Sequence, residues 1–213
     1  MRGVLAASDV LERFVVWVGR ASSWVILALI FVIMFDVITR KIYWTQQLIL
    51  NSWAHDYLSS TKLQEWEWHL HTVLFLLALG YAYSMNAHVR VDLVREKLSI
   101  KSQVWIELLG CALFLIPYSI LVFYFAVSFV QQAWVSNEAS AAMTGLSHRW
   151  IIKSFILAGM ILAFLSGVSV LIRQVLWLIS PELRPTIPLN QLTGEAAEVE
   201  EARAKLTAET AAS

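Results

Sequence analysis

Cysteine is almost absent from this 213-residue sequence, and charged residues are scarce. The single cysteine, Cys111, lies inside an apolar stretch, which excludes an internal disulfide and disfavours a cysteine-based metal site. Charged residues make up 15% of the sequence, whereas a soluble domain carries roughly 25%. Acidic and basic residues are equal in number, so no excess of positive charge is available for a nucleic acid. The composition therefore disfavours both a soluble domain and a nucleic-acid-binding protein.

Hydrophobic residues are abundant instead, at 58% of the chain, and they form stretches long enough to cross a bilayer. We predict an all-α integral membrane domain over residues 22–180, with four spans at about 22–43, 67–85, 103–130 and 151–179. Residues 1–21 precede this domain, and residues 181–213 form a C-terminal tail. The first apolar stretch is too long for a signal-peptide core and lacks a small-x-small cleavage site, so we expect it to be a retained span.

Two segments outside the spans are amphipathic. Residues 1–20 interleave apolar side chains such as Leu11, Phe14 and Val15 with charged ones, a pattern typical of a helix at the membrane surface. Residues 44–66 contain no 20-residue apolar run. Their apolar side chains predict a second interfacial helix: Leu48, Leu50, Trp53 and Leu58.

Lysine and arginine are unevenly divided between the two predicted faces. Eleven of the 16 lie on the face that holds both termini and the loop between spans two and three. That loop alone carries Arg90, Arg95, Lys97 and Lys101. Because positive residues favour the cytoplasmic side, we predict that both termini are cytoplasmic. Tryptophans near both ends of the spans are consistent with aromatic belts at the two interfaces.

Ionisable residues are rare inside the predicted spans. Asp36 and Arg40 are four apart in span one and therefore share a helix face. They form either an intrahelical pair near the outer interface, which we favour, or a conduction or coupling site. Glu107, near the start of span three, pairs with a cytoplasmic basic residue such as Arg90 or Arg95, reaches the interface, or takes part in a proton relay. Pro117, in the middle of the same span, predicts a bend.

Histidines raise the alternative of a haem-binding electron-transfer subunit. Haem needs facing histidines at matching depth on different helices. His69 and His71 are about 200° apart on one helix, and His148 is the other histidine at the outer end of a span. Interfacial histidines are the simpler interpretation, and we expect no cofactor.

Small residues recur every four positions in span four, at Gly159, Ala163 and Gly167. Such a ridge lets another helix approach closely. The approaching helix belongs either to the same chain or to a partner subunit, and the spacing does not separate the two.

Several features of enzymes and stand-alone transporters are missing from the sequence. We find no catalytic triad, phosphate loop or metal-ligand spacing, and no span broken by paired glycine and proline to expose backbone to a substrate. Spans two and four have almost no ionisable residue in their central portions. An enzyme is therefore not expected, and a self-assembling channel is a third, weaker hypothesis.

Three motifs carry a family resemblance. The segment His88-Val89-Arg90-Val91-Asp92, directly after span two, resembles the signature of the small membrane subunit of TRAP transporters, the DctQ-like family. The end of span one, Asp36 to Arg40, is similar to that family's D/N-V-x-x-R element, and Glu65 to His69 are similar to its acidic-aromatic start of span two. The resemblance covers about residues 10–180. The long loop between spans one and two resembles a subgroup with an enlarged small subunit.

The resemblance implies a tripartite, sodium-driven secondary transporter for an organic acid in the bacterial inner membrane. A periplasmic binding protein captures the substrate, and a large membrane subunit carries it. The small subunit holds this machine in the membrane and contacts lipid. Under this hypothesis His88, Arg90 and Asp92 order the cytoplasmic loop, and the outer loop is a candidate contact for the binding protein.

Overall fold

The computed structural model describes residues 1–53, 57–87, 98–142 and 144–187, and the side chain of Leu50 is left out. Every regular element in these ranges is helical, which confirms the predicted all-α class. The signature residues His88, Arg90 and Asp92 and the predicted tail beyond residue 187 lie outside the described residues.

Two helices share the N-terminal part of the chain and are separated by one residue. Helix α1 spans Arg2–Ser23, and helix α2 spans Val25–Lys41. Trp24 between them keeps a right-handed helical conformation, with φ −66° and ψ −20°. The Ser22 and Ser23 hydroxyls both donate to the Gly19 carbonyl oxygen, a type of bond that often bends helices. The change from amphipathic to apolar sequence is therefore marked by a local irregularity and not by a loop.

The remaining elements range from a five-residue turn to a helix of 30 residues. In chain order they are α3 (Tyr43–Leu50), α4 (Ser60–Ser84), α5 (Ile100–Gly110), a π-helical turn (Cys111–Leu115), α6 (Ile116–Val135), α7 (Trp150–Ile179) and a 3-10 turn (Pro181–Thr186). Helix α3 ends at Leu50, so Trp53 and Leu58 do not belong to it, although the sequence predicted them on one interfacial helix.

Asparagine ends two of the helices in the same way. Asn86 after α4 and Asn137 after α6 both adopt a left-handed conformation, with φ 57° and φ 46°. In each case the following residue donates to a carbonyl five residues back: Ala87 to Ala82 and Glu138 to Ala133. These bonds satisfy carbonyls that a helix end leaves unpaired, and asparagine tolerates this conformation better than most residues.

Pro117 lies just after the π-helical turn. A proline has no N–H and its ring clashes with the carbonyl four residues earlier. The wider turn at Cys111–Leu115, in which the Ile116 N–H donates to the Cys111 carbonyl, accommodates this within a helix that continues to Val135. The sequence predicted a bend at Pro117, and the structure has a local change of helix type just before this residue.

Three helical stretches are long and apolar enough to cross a membrane: Arg2–Lys41, Ile100–Val135 and Trp150–Ile179. They contain the predicted third and fourth spans and all but the last two residues of the predicted first span, 22–43. Helix α4 is also long, with 25 residues, but it is not apolar enough to be included among these three. Arg2–Lys41 has 40 residues, whereas a helix needs only about 20 residues to cross a hydrocarbon core.

The chain divides into two compact units. The first consists of Met1–Trp17, Gly80–Ile120 and Leu162–Ser213, as far as these are described, and the second of Val18–Leu79 and Leu121–Ile161. In the first unit, buried residues from α5, the end of α7 and the 3-10 turn form a core: Val104, Leu176, Trp177, Leu183 and Ile187.

Candidate functional site

The first turns of α4 bind the end of α2 within the second unit. Asp36 is buried, with its side chain 3% exposed, and forms an ion pair with Arg40 one turn later. The Ser60 hydroxyl donates to Asp36 Oδ1 over 3.2 Å. With its amide oriented to suit its neighbours, the Gln64 oxygen accepts hydrogen bonds from both Arg40 Nη atoms, at 2.7 and 2.9 Å. The Asp36–Arg40 pair is therefore intrahelical and at the same time joined to α4.

Glu65 binds a second segment, the loop between α6 and α7. Its two carboxylate oxygens accept hydrogen bonds from the Ser140 hydroxyl and from the Leu146 backbone N–H. Gly145 lies against this arrangement, and a Cβ added there would contact Ser140 and lie 2.7 Å from Glu65 Oε1. The carboxylate thus fixes the loop, and the loop has room for glycine only.

The electrostatics of Glu65 match this role. Burial raises the pKa of the carboxyl group, but the hydrogen bonds from Ser140 and Leu146 and the positive charge of Arg149 lower it by more. The pKa of Glu65 therefore lies below its ordinary value, and the carboxylate is ionised at neutral pH.

Aromatic and charged residues surround the same loop in the second unit. The Arg149 guanidinium lies over the Trp68 ring at 5.2 Å, and the Trp134 and Trp150 rings meet edge to face at 4.4 Å. Lys153 forms an ion pair with Glu138. These cation–π, aromatic and ion-pair contacts join α4, α6 and α7 next to the loop.

Two of the histidines named in the sequence analysis, His69 and His148, make local contacts. His69 Nδ1 contacts the Glu65 backbone carbonyl oxygen, and the His69 ring packs on Trp68 with centroids 4.0 Å apart. His148 contacts the Ser147 hydroxyl over 2.9 Å and has a left-handed backbone with φ 60°. Nothing in these contacts favours a haem site.

The glycines of α7 pack against helices of the same chain. In the second unit, a Cβ on Gly159 would lie 2.9 Å from the Leu76 carbonyl oxygen of α4. In the first unit, a Cβ on Gly167 would lie 2.9 Å from Leu115 Cδ2 in the π-helical turn. Ala163 between them is buried. Gly80 on α4 is closer still, because its Cβ would lie 2.6 Å from the Leu162 carbonyl oxygen.

Glu107 lies in an open groove of the first unit, beside the π-helical turn. The groove is mostly apolar, with two tyrosines at its sides, and its lining includes Tyr83, Ile106, Glu107, Cys111, Phe114 and Tyr118. The Cys111 thiol donates to the Gly167 carbonyl oxygen over 3.3 Å, so this residue is bound to α7.

Sequence reasoning missed one buried charged cluster in the first unit. Arg173 of α7, whose side chain is 6% exposed, forms ion pairs with Glu12 and with Asp9 of α1, the latter at 2.8 Å. The spacing of Asp9 and Glu12, three apart on an amphipathic helix, indicates a shared face. No local pattern connects that face with an arginine about 160 residues away.

Serine hydroxyls accompany this cluster along α7. Ser169 bonds with Ser8 of α1 over 3.1 Å, and Ser166 bonds with Ser84 of α4 over 2.7 Å. All four serines are buried. Hydroxyl pairs of this kind join helices where no water is available, so α7 holds both α1 and α4 within this unit.

Comparison with known protein families agrees with the all-helical, membrane-type structure. The sequence model for the DctQ component of tripartite ATP-independent periplasmic transporters matches residues 29–176, more than two thirds of the chain. The chain belongs to the DctQ family. No curated protein and no solved structure matches the chain significantly.

Membership in the DctQ family makes this chain a small-subunit component of a TRAP transporter and a membrane protein. Members of this family are transporter components, and the family is not one of enzymes. In general, DctQ proteins work with a large membrane subunit and a substrate-binding protein. The matched range includes Asp36, Arg40, Glu65, Glu107 and the α7 glycines.

Proposed function

We propose that this DctQ protein is a scaffold that holds the large transport subunit in the inner membrane and provides no path for the substrate. One observation carries the proposal: among the described residues, the buried charged side chains of the helices are bound to other residues of the same chain. Asp36 is held by Arg40 and Ser60, and Arg173 by Asp9 and Glu12. A substrate or ion site needs polar groups that are available to the ligand, as in transporters with midplane binding.

The outer surface of the helices supports the same role. In the most apolar part of Ile100–Val135, only 11% of the residues are buried. The corresponding part of Trp150–Ile179 has 44% of its residues buried. Large apolar side chains such as Phe114, Tyr124 and Phe125 are exposed on this stretch. Such a surface suits contact with lipid or with the helices of a partner.

The proposed topology has four spans, with α4 as the second and with both termini in the cytoplasm. At 25 residues, α4 is about 37 Å long, enough to cross the core. Its low mean hydropathy comes from its first part, where Glu65 and His69 have partners. Labelling single cysteines at Ser99 and at Gln46 from each side of the membrane tests this. We expect reaction at Ser99 from the cytoplasm and at Gln46 from outside; labelling of both from one side would contradict four spans.

The transported substrate is proposed to be an organic acid, captured by a periplasmic binding protein and carried with sodium by the large subunit. Membership in the family supports the presence of these two partner proteins. The motifs in this chain support its assignment as the small subunit. Uptake by cells that produce all three proteins, measured with sodium and with potassium as the external cation, tests the coupling. Equal uptake in both would contradict sodium coupling.

Arg90 and Asp92 are proposed to order the cytoplasmic loop and to support assembly. The test is co-purification of the large subunit with tagged Arg90→Ala chain. We expect a loss of about tenfold or more, because a charged hydrogen bond contributes about 1.5–3 kcal/mol. Lys41→Ala, which removes a positive charge from an exposed position at the end of α2, is the matched control. Unchanged assembly and transport with Arg90→Ala would reject this role.

A further inference from the structure

Helix α1 buries one of its two acidic residues, Glu12, and leaves the other, Asp9, partly exposed. Its buried positions include Ser8 and Glu12, and both acids, Asp9 and Glu12, are bound by Arg173 in the first unit. Positive charge on this helix is therefore not neutralised by the helix's own carboxylates.

The opposite side of the same segment is apolar and cationic. Val10, Arg13, Phe14 and Trp17 follow the spacing i, i+3, i+4 and i+7, so they share one face. Val10, Phe14 and Trp17 are each between about a half and two thirds exposed, and Arg13 is exposed. Arg2, 11 residues before Arg13, falls on the same side because 11 residues make about three turns. Neither arginine has an ion-pair partner among the residues that the structure describes.

We propose that this face of α1, formed by Arg2, Val10, Arg13, Phe14 and Trp17, binds the headgroup of an anionic phospholipid. The guanidinium groups complement a phosphate that carries net negative charge, and the apolar side chains enter the boundary between headgroups and acyl chains. The occupant is the bilayer itself, because the face combines positive charge with aromatic surface, and Asp9, the carboxylate four residues before Arg13, is already paired with Arg173. This goes beyond the scaffold role and does not depend on it.

Lipid binding by the full chain tests the proposal directly. Native mass spectrometry during titration with phosphatidylglycerol, and separately with phosphatidylcholine of the same acyl chains, gives the affinity for each. We expect tighter binding of phosphatidylglycerol, weakened by about fivefold in Arg13→Gln, since one arginine near a charged membrane surface contributes about 1 kcal/mol. Lys41→Gln, with the same change of charge at another exposed site, is the control. Equal losses in both variants, or none in Arg13→Gln, would overturn the proposal.

Cross-linking decides between lipid and protein as the occupant. A Phe14→Cys chain in a Cys111→Ser background, carrying a photoreactive maleimide, is assembled with the large subunit and illuminated. We expect adducts with lipid. An adduct with the large subunit or with a second copy of this chain would show that protein covers the face and would reject a lipid site.

Discussion

At the scale of single residues, Glu65 illustrates how this protein uses charge. Its carboxylate accepts two hydrogen bonds from one loop and lies near Arg149, and these interactions keep its pKa low in spite of burial. Because the pKa in the folded protein lies below that in the unfolded chain, the stabilisation is present above the ordinary carboxyl pKa and is lost as pH falls through the lowered value. Near neutral pH this residue therefore acts as a fixed anchor and not as a switch.

Replacing Glu65 by Gln is expected to loosen residues 138–147 without unfolding the helices. Loss of one charge-assisted hydrogen bond costs at least about 1.4 kcal/mol, so amide exchange in this loop should become about tenfold faster. Hydrogen exchange read by mass spectrometry in lipid nanodiscs measures this. Glu67→Gln, the same change two residues along α4, serves as the control. Equal protection in all three proteins would contradict the anchoring role.

The pH dependence of the same loop follows from the sign of the pKa shift. Protection of residues 138–147, corrected for intrinsic exchange, is expected to stay constant from about pH 8 to about pH 5 and to fall in more acidic solution. In Glu65→Gln this acidic decrease should disappear. A decrease between about pH 7 and pH 6 in the unaltered protein would indicate that a histidine controls the loop instead.

Close helix packing dominates at the scale of elements. Gly80 and Gly159 both lie against backbone atoms of the facing helix, at Leu162 and Leu76 respectively. Gly110, at the end of α5, has open space where a Cβ would be. The three glycines thus differ in environment although all are helical.

Gly80→Ala is expected to destabilise the protein by about 1–3 kcal/mol, because a backbone carbonyl cannot move aside as a side chain can. Gly110→Ala should be neutral or stabilising by up to about 1 kcal/mol, since alanine favours helices. Thermal unfolding in detergent compares them. A Gly80→Ala protein as stable as Gly110→Ala would show that α4 and α7 do not approach this closely.

The ion pairs of Arg173 with Asp9 and Glu12 predict that α1 is held against α7 by these charges. In Glu12→Gln, the buried positive charge of Arg173 loses one of its two carboxylate partners. Breaking a buried ion pair reduces the free energy of unfolding by about 3–5 kcal/mol. We expect residues 2–15 to become sensitive to protease, while Arg13→Gln, exposed on the same helix, stays resistant. Resistance of Glu12→Gln equal to that of the unaltered chain would mean that α1 is held by other contacts.

Local patterns predicted some elements well and others poorly. The apolar run of α7 and the i, i+4 spacing of Asp36 and Arg40 are local, and both correspond to observed features. The start of α4 at Ser60 was not predicted, because its first turns are polar and gain their partners from α2 and from the α6–α7 loop. The pairing of Arg173 with α1 is a long-range contact, which no local pattern encodes.

At the scale of the whole molecule, the DctQ family and the bound charges support one account. In the proposed account, the chain supplies helices to a transporter whose substrate passes through another subunit. A variant that weakens this chain should therefore reduce the amount of assembled transporter, and each complex that does assemble should work normally.

The most direct test is the rate of substrate uptake per assembled complex, measured in proteoliposomes with the large subunit and the binding protein. Asp36→Asn, Glu107→Gln and Arg173→Gln each neutralise an ionisable residue of the membrane helices. The account predicts fewer complexes in some variants but an unchanged rate per complex in all of them. Full assembly with a rate reduced tenfold or more in any of the three would show that this chain takes part in transport itself.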